Sequence, residues 1–233
     1  LPEGLTAEAI HRRSALRSLF DDRLSRNRRT ADTEAYASSY KMAARMARRK
    51  DVFDLSKEPQ KDRDRYGEHD FGRHCLLARR LLENNVPCVQ VRHRAYDSHF
   101  ENFNIHLEQL GEFDRTFSVL IDDLHTRGLL ESTLVVVMSE MGRTPKINEQ
   151  LGRDHWNKAW SLVLGGCGIH TGAVFGKTDK TGREVVEGRV NQADLFHTFY
   201  QALGIDSTAS FETNGKEIPM AEPAHGPIED LLI

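Results

Sequence analysis

Five residues carry side chains that divalent metal ions prefer: Asp97, His99, Glu140, Asp154 and His155. Imidazole nitrogen and carboxylate oxygen together suit Zn²⁺, Mn²⁺ or Fe better than Ca²⁺ or Mg²⁺, which favour oxygen alone; Ca²⁺ is the weaker alternative. An ion held this way acts as a Lewis acid on phosphoryl or sulfuryl oxygens, or generates hydroxide from water. Two guanidinium groups, Arg143 and Arg153, stand in the same stretch as Glu140, Asp154 and His155. Taken alone, each pair is a weak signal, since an exposed Asp-x-His is usually just a polar loop. The case for a site therefore depends on whether the fold delivers three loops to one place.

Hydrophobic periodicity suggests the elements that would do so. Residues 134–138 (Leu-Val-Val-Val-Met) are a continuous apolar run of the kind found in buried strands of parallel sheets, and it ends abruptly at Ser139-Glu140. Ligands of open α/β sheets sit beyond the carboxyl ends of the strands, which puts Glu140 at such an edge. Upstream, residues 71–85 have a helical apolar face of Cys75, Leu76, Ala78, Leu81 and Leu82, with Arg73, Arg79 and Arg80 opposite. Residues 86–91 follow as a short strand, and 93–104 as its exit loop carrying Asp97 and His99. Residues 105–127 predict a long amphipathic helix with Leu107, Leu110, Phe113, Phe117, Leu120, Ile121 and Leu124 inward, ended by Gly128. Strand, helix and strand in that order imply a right-handed crossover between parallel strands, so both exit loops open on one sheet edge. On that topology Asp97 and His99, Glu140, and Asp154 and His155 converge.

The remainder of the chain frames this region. Residues 6–49 read as helical, capped by Thr6, with Ile10, Leu16, Leu19, Phe20 and Leu24 at helical spacing and a break at Thr30-Ala31-Asp32. The basic run 45–50 reads as a solvated helix end. Residues 51–70, polar and of mixed charge, read as a long surface connection. Residues 160–164 predict a strand, and the glycine-rich turn 165–168 lacks both GxGxxG and a P-loop lysine, which argues against nucleotide binding there. Two short strands (173–176 and 184–187), a helix over 194–203 ended by Gly204, and a polar tail from 206 complete the reading. Of 233 residues, 29% are charged and 39% hydrophobic, with a net charge of −3, so no general attraction to nucleic acid is expected. No stretch approaches the ~20 apolar residues that a membrane-spanning helix needs. Cys75, Cys88 and Cys167 form neither a CxxC nor a dense disulfide pattern and read as small core residues.

Several stretches carry a resemblance. Residues 128–142 (GLLESTLVVVMSEMG) resemble the sulfatase and alkaline-phosphatase-like pattern in which a helix and strand end in Ser-Asp-His-Gly, and residues 188–205 resemble that superfamily's C-terminal helix. More closely, FGRHCLLARRLLENNVPCVQV, YDSHFENF, SEMGRTPKIN, GRDHW and GGCGIHTGAVFG resemble the domain-of-unknown-function family 1501, abundant in planctomycete-type bacteria, from about Glu34 to the C-terminus.

The resemblance implies an α/β, alkaline-phosphatase-like fold with a largely parallel sheet flanked by helices. Residues 51–233 would be the C-terminal part of that single domain and residues 1–50 a helical segment before it, with the domain's N-terminal portion absent. Asp97 and His99 match the superfamily's first metal-binding pair at shorter spacing, and His155 matches its later histidine. Glu140 stands where the pattern has Asp and Met141 where it has His, and a thioether does not replace imidazole on a hard or borderline ion. The implied activity is metal-dependent hydrolysis of sulfate or phosphate esters. Asp97, His99, Glu140, Asp154 and His155 would be ligands, Arg143 and Arg153 would clamp the anion, and the nucleophile is unidentified. The partners implied are a small anionic ester or a sulfated or phosphorylated saccharide, together with the absent N-terminal half, and the location implied is periplasmic or secreted. The alternative is a non-catalytic member that keeps the fold as a binding or scaffold protein. With no nucleophile in view, residues 1–233 by themselves are expected to be inactive.

Overall fold

Thr6 starts the first helix as expected: its hydroxyl accepts from the Ala9 amide at 3.2 Å, and α1 (Ala7–Asn27) follows. The computed structural model describes residues 6–27, 31–213 and 215–233, with the backbone alone for 7, 24–27, 31–34 and 45–48. The opening Leu-Pro-Glu-Gly, the break at Thr30, and the side chains of Leu24 and of residues 45–48 in the basic run lie outside the described residues. Arg17 pairs with Asp21 at 2.6 Å and lies 4.2 Å over the Tyr40 ring of α2 (Ala31–Arg48). Leu16, Leu19 and Phe20 are exposed. The described residues up to 51 form one compact unit with those of 210–218; residues 52–209 and 219–233 form a second, which holds every candidate site residue.

The second unit begins with a correction. Residues 51–70 are not an open connection: two 3₁₀ turns lead into the short helix α3 (Gln60–Tyr66), whose last side chain is wholly buried. Part of the mixed charge is internal pairing, although most of the segment lies at the surface. Arg63 donates to the carbonyls of Leu55, Ser56 and Glu58, and Glu58 meets both Arg79 and Arg80 of α4 (Asp70–Glu83). Tyr66, Phe71, Cys75 and Leu76 form a hydrophobic core cluster, with Leu55, Val91, Phe113, Val119 and Leu120 against it. Burial pushes the Cys75 thiol up to about 12.

Arg79, expected on the solvent side of α4, is 2% exposed. Its guanidinium reaches Glu58, Glu83 at 2.9 Å and Asp123 at 3.6 Å, the last from α5 (Asn102–Thr126). Arg65 joins Asp123 at 2.7 Å, and the Tyr66 hydroxyl donates to the same carboxylate at 3.0 Å. Burial alone would disfavour the Arg79 charge, but the hydrogen bonds to Glu58 and Glu83 more than offset that. Burial, reinforced by Asp123, raises the Tyr66 phenol well above its usual range. On α5 the expected inner face is divided: Phe113 and Leu120 pack on the core, whereas Leu107 is 80% exposed and Leu110 is also exposed.

The strands depart further from expectation. Residues 86–91 form no ladder among the described residues; Asn85 turns left-handed (φ 59°), and Pro87 offers no donor. β1 (Leu134–Val137) pairs with β4 (Val163–Gly166), but antiparallel, Leu134 opposite Gly166 and Val137 opposite Val163. The apolar run marked a strand correctly; it carried nothing about direction, and the expected parallel crossover is absent among the described residues. Between these strands the chain folds back as β2 (Gly142–Arg143) and β3 (His155–Trp156), also antiparallel. A further ladder joins β5 (Lys177–Thr178) to β6 (Val185–Glu187), later than the expected 173–176. The chain then enters α6 (Gln192–Ala202), where Asn191 and Asp194 form a capping box and Gly204 is left-handed (φ 71°). β7 (Ser210–Thr213) pairs with β8 (Lys216–Pro219). The class is mixed α/β, with small sheets among the described residues.

Candidate metal centre

Asp97 is exposed and His99 half-buried, whereas Ser98 between them is turned into the protein. Ser98 is buried, and its hydroxyl donates to Asn102 Oδ1 and meets His106 Nε2, both at 2.9 Å, so the segment is fastened to the start of α5. From the other side the Arg153 amide donates to the Ser98 carbonyl at 3.0 Å, and the Asn102 amide to that of Leu151 at 3.0 Å. Loop 144–154 is thereby laid along the 98–102 segment.

Asn148 sets the spacing of this junction. Its side-chain oxygen accepts from the Gln150 and Gly152 amides (3.0 and 2.8 Å), while its Nδ2 donates to the His99 carbonyl (2.9 Å) and to Asp154 Oδ1 (3.1 Å). Gly152 allows the approach, since a Cβ there would lie 1.9 Å from the His99 carbonyl carbon and oxygen. Strain gathers at the same place. Ala95, Glu101 and Leu151 have φ of 65°, 48° and 60°, a region that costs a non-glycine residue roughly 1–2 kcal/mol and persists where the surroundings over-determine it.

The result is a convergence of three donors. Asp97 Oδ1 lies 3.1 Å from His99 Nε2 and 3.0 Å from His155 Nε2, and the ligand atoms of the three residues all lie within 4.8 Å of one another. Ligands about 2.0–2.2 Å from a tetrahedral zinc ion are roughly 3.4 Å apart, so these atoms could hold an ion after small adjustments, with a fourth position open. Asp154 stands one shell out: its Oδ1 is 3.0 Å from His99 Nδ1 and so orients the ring with Nε2 toward the cluster. Register does the same for His155, which is paired with Arg143 across β2 and β3.

Arg143 completes the arrangement: its Nη2 donates to the same Asp97 oxygen and its Nη1 to the Arg153 carbonyl at 3.2 Å. The Arg143 guanidinium, aided by His155, holds the Asp97 carboxyl down at about 2. His99 and then Asn148 hold the Asp154 carboxyl below its ordinary value. Arg153 is engaged elsewhere, donating to the carbonyls of Thr144 and Pro145, both at 2.7 Å.

Of the residues singled out in the sequence, Asp97, His99, Asp154, His155 and Arg143 therefore meet. Glu140 is exposed, outside the converging group, and has no hydrogen-bond or ion-pair partner among the described residues. The nearby hydroxyls are occupied: Ser139 donates to the Met141 carbonyl, and Thr144 donates to the Lys146 carbonyl while accepting from the Asp154 amide. Sequence reasoning missed Asn148 and Gly152. Their signal, an Asn four residues before a Gly inside a polar loop, is the chemistry of side-chain-to-backbone turns.

Comparison with known proteins gives one match. The model of the family described as "Protein of unknown function (DUF1501)" covers residues 1–232, and the chain belongs to that family. The match takes in α1 and α2 as well as the region from Glu34 onward. No curated protein and no solved structure matches the chain.

Proposed function

With membership of the DUF1501 family as the premise, we propose that the chain carries a mononuclear transition-metal site serving hydrolysis of phosphate or sulfate esters. The observation that carries the reading is the meeting of Asp97, His99 and His155 donor atoms within 4.8 Å of one another, on side chains that are 65%, 41% and 51% exposed. Exposed groups gain little from mutual pairing, so two imidazoles held on one carboxylate oxygen by a strained backbone suit a ligand better than they suit stability. Asp97, His99 and His155 would hold the ion, with Asp154 fixing the His99 ring. A divalent ion so held supplies Lewis acidity to an anionic ester oxygen. Arg143 offers a guanidinium beside the same carboxylate, with the fork geometry that suits phosphate or sulfate. Glu140 would serve as a further ligand only after the loop beyond β1 moves.

The alkaline-phosphatase-like architecture belongs to this proposal. Its support is β1, four consecutive apolar residues, half-buried, with a ladder on one edge among the described residues, as a strand of a larger sheet would be. The engaged hydroxyls of Ser139 and Thr144 and the presence of Met141 favour a second reading, a non-catalytic site that binds a metal and an anion.

Aryl phosphate and aryl sulfate assays with Zn²⁺ or Mn²⁺, paired with binding of each product anion to the metal-loaded protein, test the proposal. Residues 1–233 should bind the anion once loaded yet show no turnover above free metal, for want of a nucleophile in line. Metal-dependent turnover abolished by His155→Ala would place the nucleophile within this chain. Failure of the loaded protein to bind either anion would overturn the reading.

A further inference from the structure

We propose that Arg143 is a metal-responsive anion receptor: it neutralises Asp97 while no ion is bound, and turns to a phosphoryl or sulfuryl oxygen once a divalent cation takes Asp97. The inference rests on the metal reading above and adds a coupling between the two ligands.

Three observations carry it. A single oxygen, Asp97 Oδ1, is shared by Arg143 Nη2, His99 Nε2 and His155 Nε2. An ion that uses both imidazoles must approach that same oxygen, so the cation and the guanidinium compete for one carboxylate. Second, Asp97 is the carboxylate that Arg143 pairs with among the described residues; its other contact is the Arg153 carbonyl at 3.2 Å. Once displaced, the guanidinium loses its one ion-pair partner among the described residues, and its backbone stays opposite His155 in the β2–β3 register. Third, the local charge changes sign. With neutral imidazoles, two carboxylates (Asp97, Asp154) against one guanidinium leave the cluster at minus one; a dication takes it to plus one, and an anion then becomes the favoured partner. Arg153 has no comparable freedom, being tied to two carbonyls at 2.7 Å.

Binding of cation and anion must then be reciprocal, each strengthening the other by the same factor. Zinc chloride titrated calorimetrically into the full chain, with and without sodium sulfate at matched ionic strength, reads this directly. Sulfate should tighten zinc binding to the wild type by about tenfold, within the usual span of such couplings. Arg143→Gln should bind zinc severalfold more tightly than wild type without sulfate, because the competitor is gone, and should show no gain from sulfate. Arg143→Lys, which keeps the charge but loses the fork, should fall between them and guards against misfolding of the Gln variant. Zinc affinity in Arg143→Gln that is unchanged or weaker, with the sulfate gain retained, overturns the coupling while leaving the metal site standing. Absence of zinc binding in wild type and variants alike overturns both.

Discussion

The Arg79–Asp123 cluster and the Asp97–His155 cluster both gather acids and bases from distant parts of the chain, and they are built to opposite specifications. In the first, Arg79 and Asp123 are 2% exposed, each acid meets a guanidinium, and Tyr66 closes the remaining acceptor. Charges buried like this must be matched or they are costly, and the matching is nearly complete, Arg79 Nε alone lacking a close partner among the described residues. The second cluster is largely exposed, where pairing gains little, yet three basic side chains crowd one oxygen and two of these are imidazoles. Guanidinium–carboxylate matching in the interior ties α3, α4 and α5 together. At the surface, two imidazoles converge on one carboxylate, and the proposed metal site rests on that convergence.

Substitutions should separate the two clusters cleanly. Arg79→Ala leaves Glu58, Glu83 and Asp123 without their shared cation and should cost about 3–5 kcal/mol by denaturant unfolding, without changing zinc affinity in the molecules that remain folded. A loss below about 1 kcal/mol would mean that the cluster is wetter than its burial indicates. Gly152→Ala, whose Cβ has no room beside His99, should cost about 1–3 kcal/mol and also abolish zinc binding, because it parts the two loops. Asp154→Asn should leave the unfolding midpoint near that of the wild type and weaken zinc about 10–100-fold, the usual effect of removing a group that orients a ligating histidine. Equal affinity in that variant would make Asp154 a bystander.

The pH dependence follows from which group is held charged. Asp97, lowered from 3.8 to about 2, is a carboxylate throughout the working range; what it adds to stability is present above pH 4 and fades as pH falls toward 2. Zinc affinity should weaken on acidification, because protons compete with the metal for its ligands. The smallest effect is expected at Gly111, exposed in mid-helix on α5 near Leu107 and Leu110. A Cβ there meets nothing within 4 Å, so Gly111→Ala should stabilise by about 0.5–1 kcal/mol. Destabilisation instead would show that another surface covers this apolar stripe.

What the sequence disclosed follows the same division. Asp97 and His99 were visible as a pair in a strand's exit loop, and Asp154-His155 stood out by adjacency. Glu140 was grouped with them through a strand-tip rule for parallel sheets, whereas β1 runs antiparallel to β4. The buried cluster was hidden altogether. Arg79 sits at a spacing that reads as a polar helix face, and the charges of residues 51–70 resemble solvation unless their partners 20 to 60 residues away are known. Asn148 acts through backbone atoms on two loops, a kind of contact that leaves no periodicity to read.

The central claim is that Asp97, His99 and His155 form one metal centre. Calorimetric titration of Zn²⁺ into the chain, repeated with His155→Ala and with Asp97→Ala, tests it most directly. The account predicts about one zinc per chain in the wild type, at least 100-fold weaker binding in each variant, and unfolding midpoints in metal-free buffer close to that of wild type. Zinc binding of the same affinity in all three proteins, or none in the wild type, would contradict it.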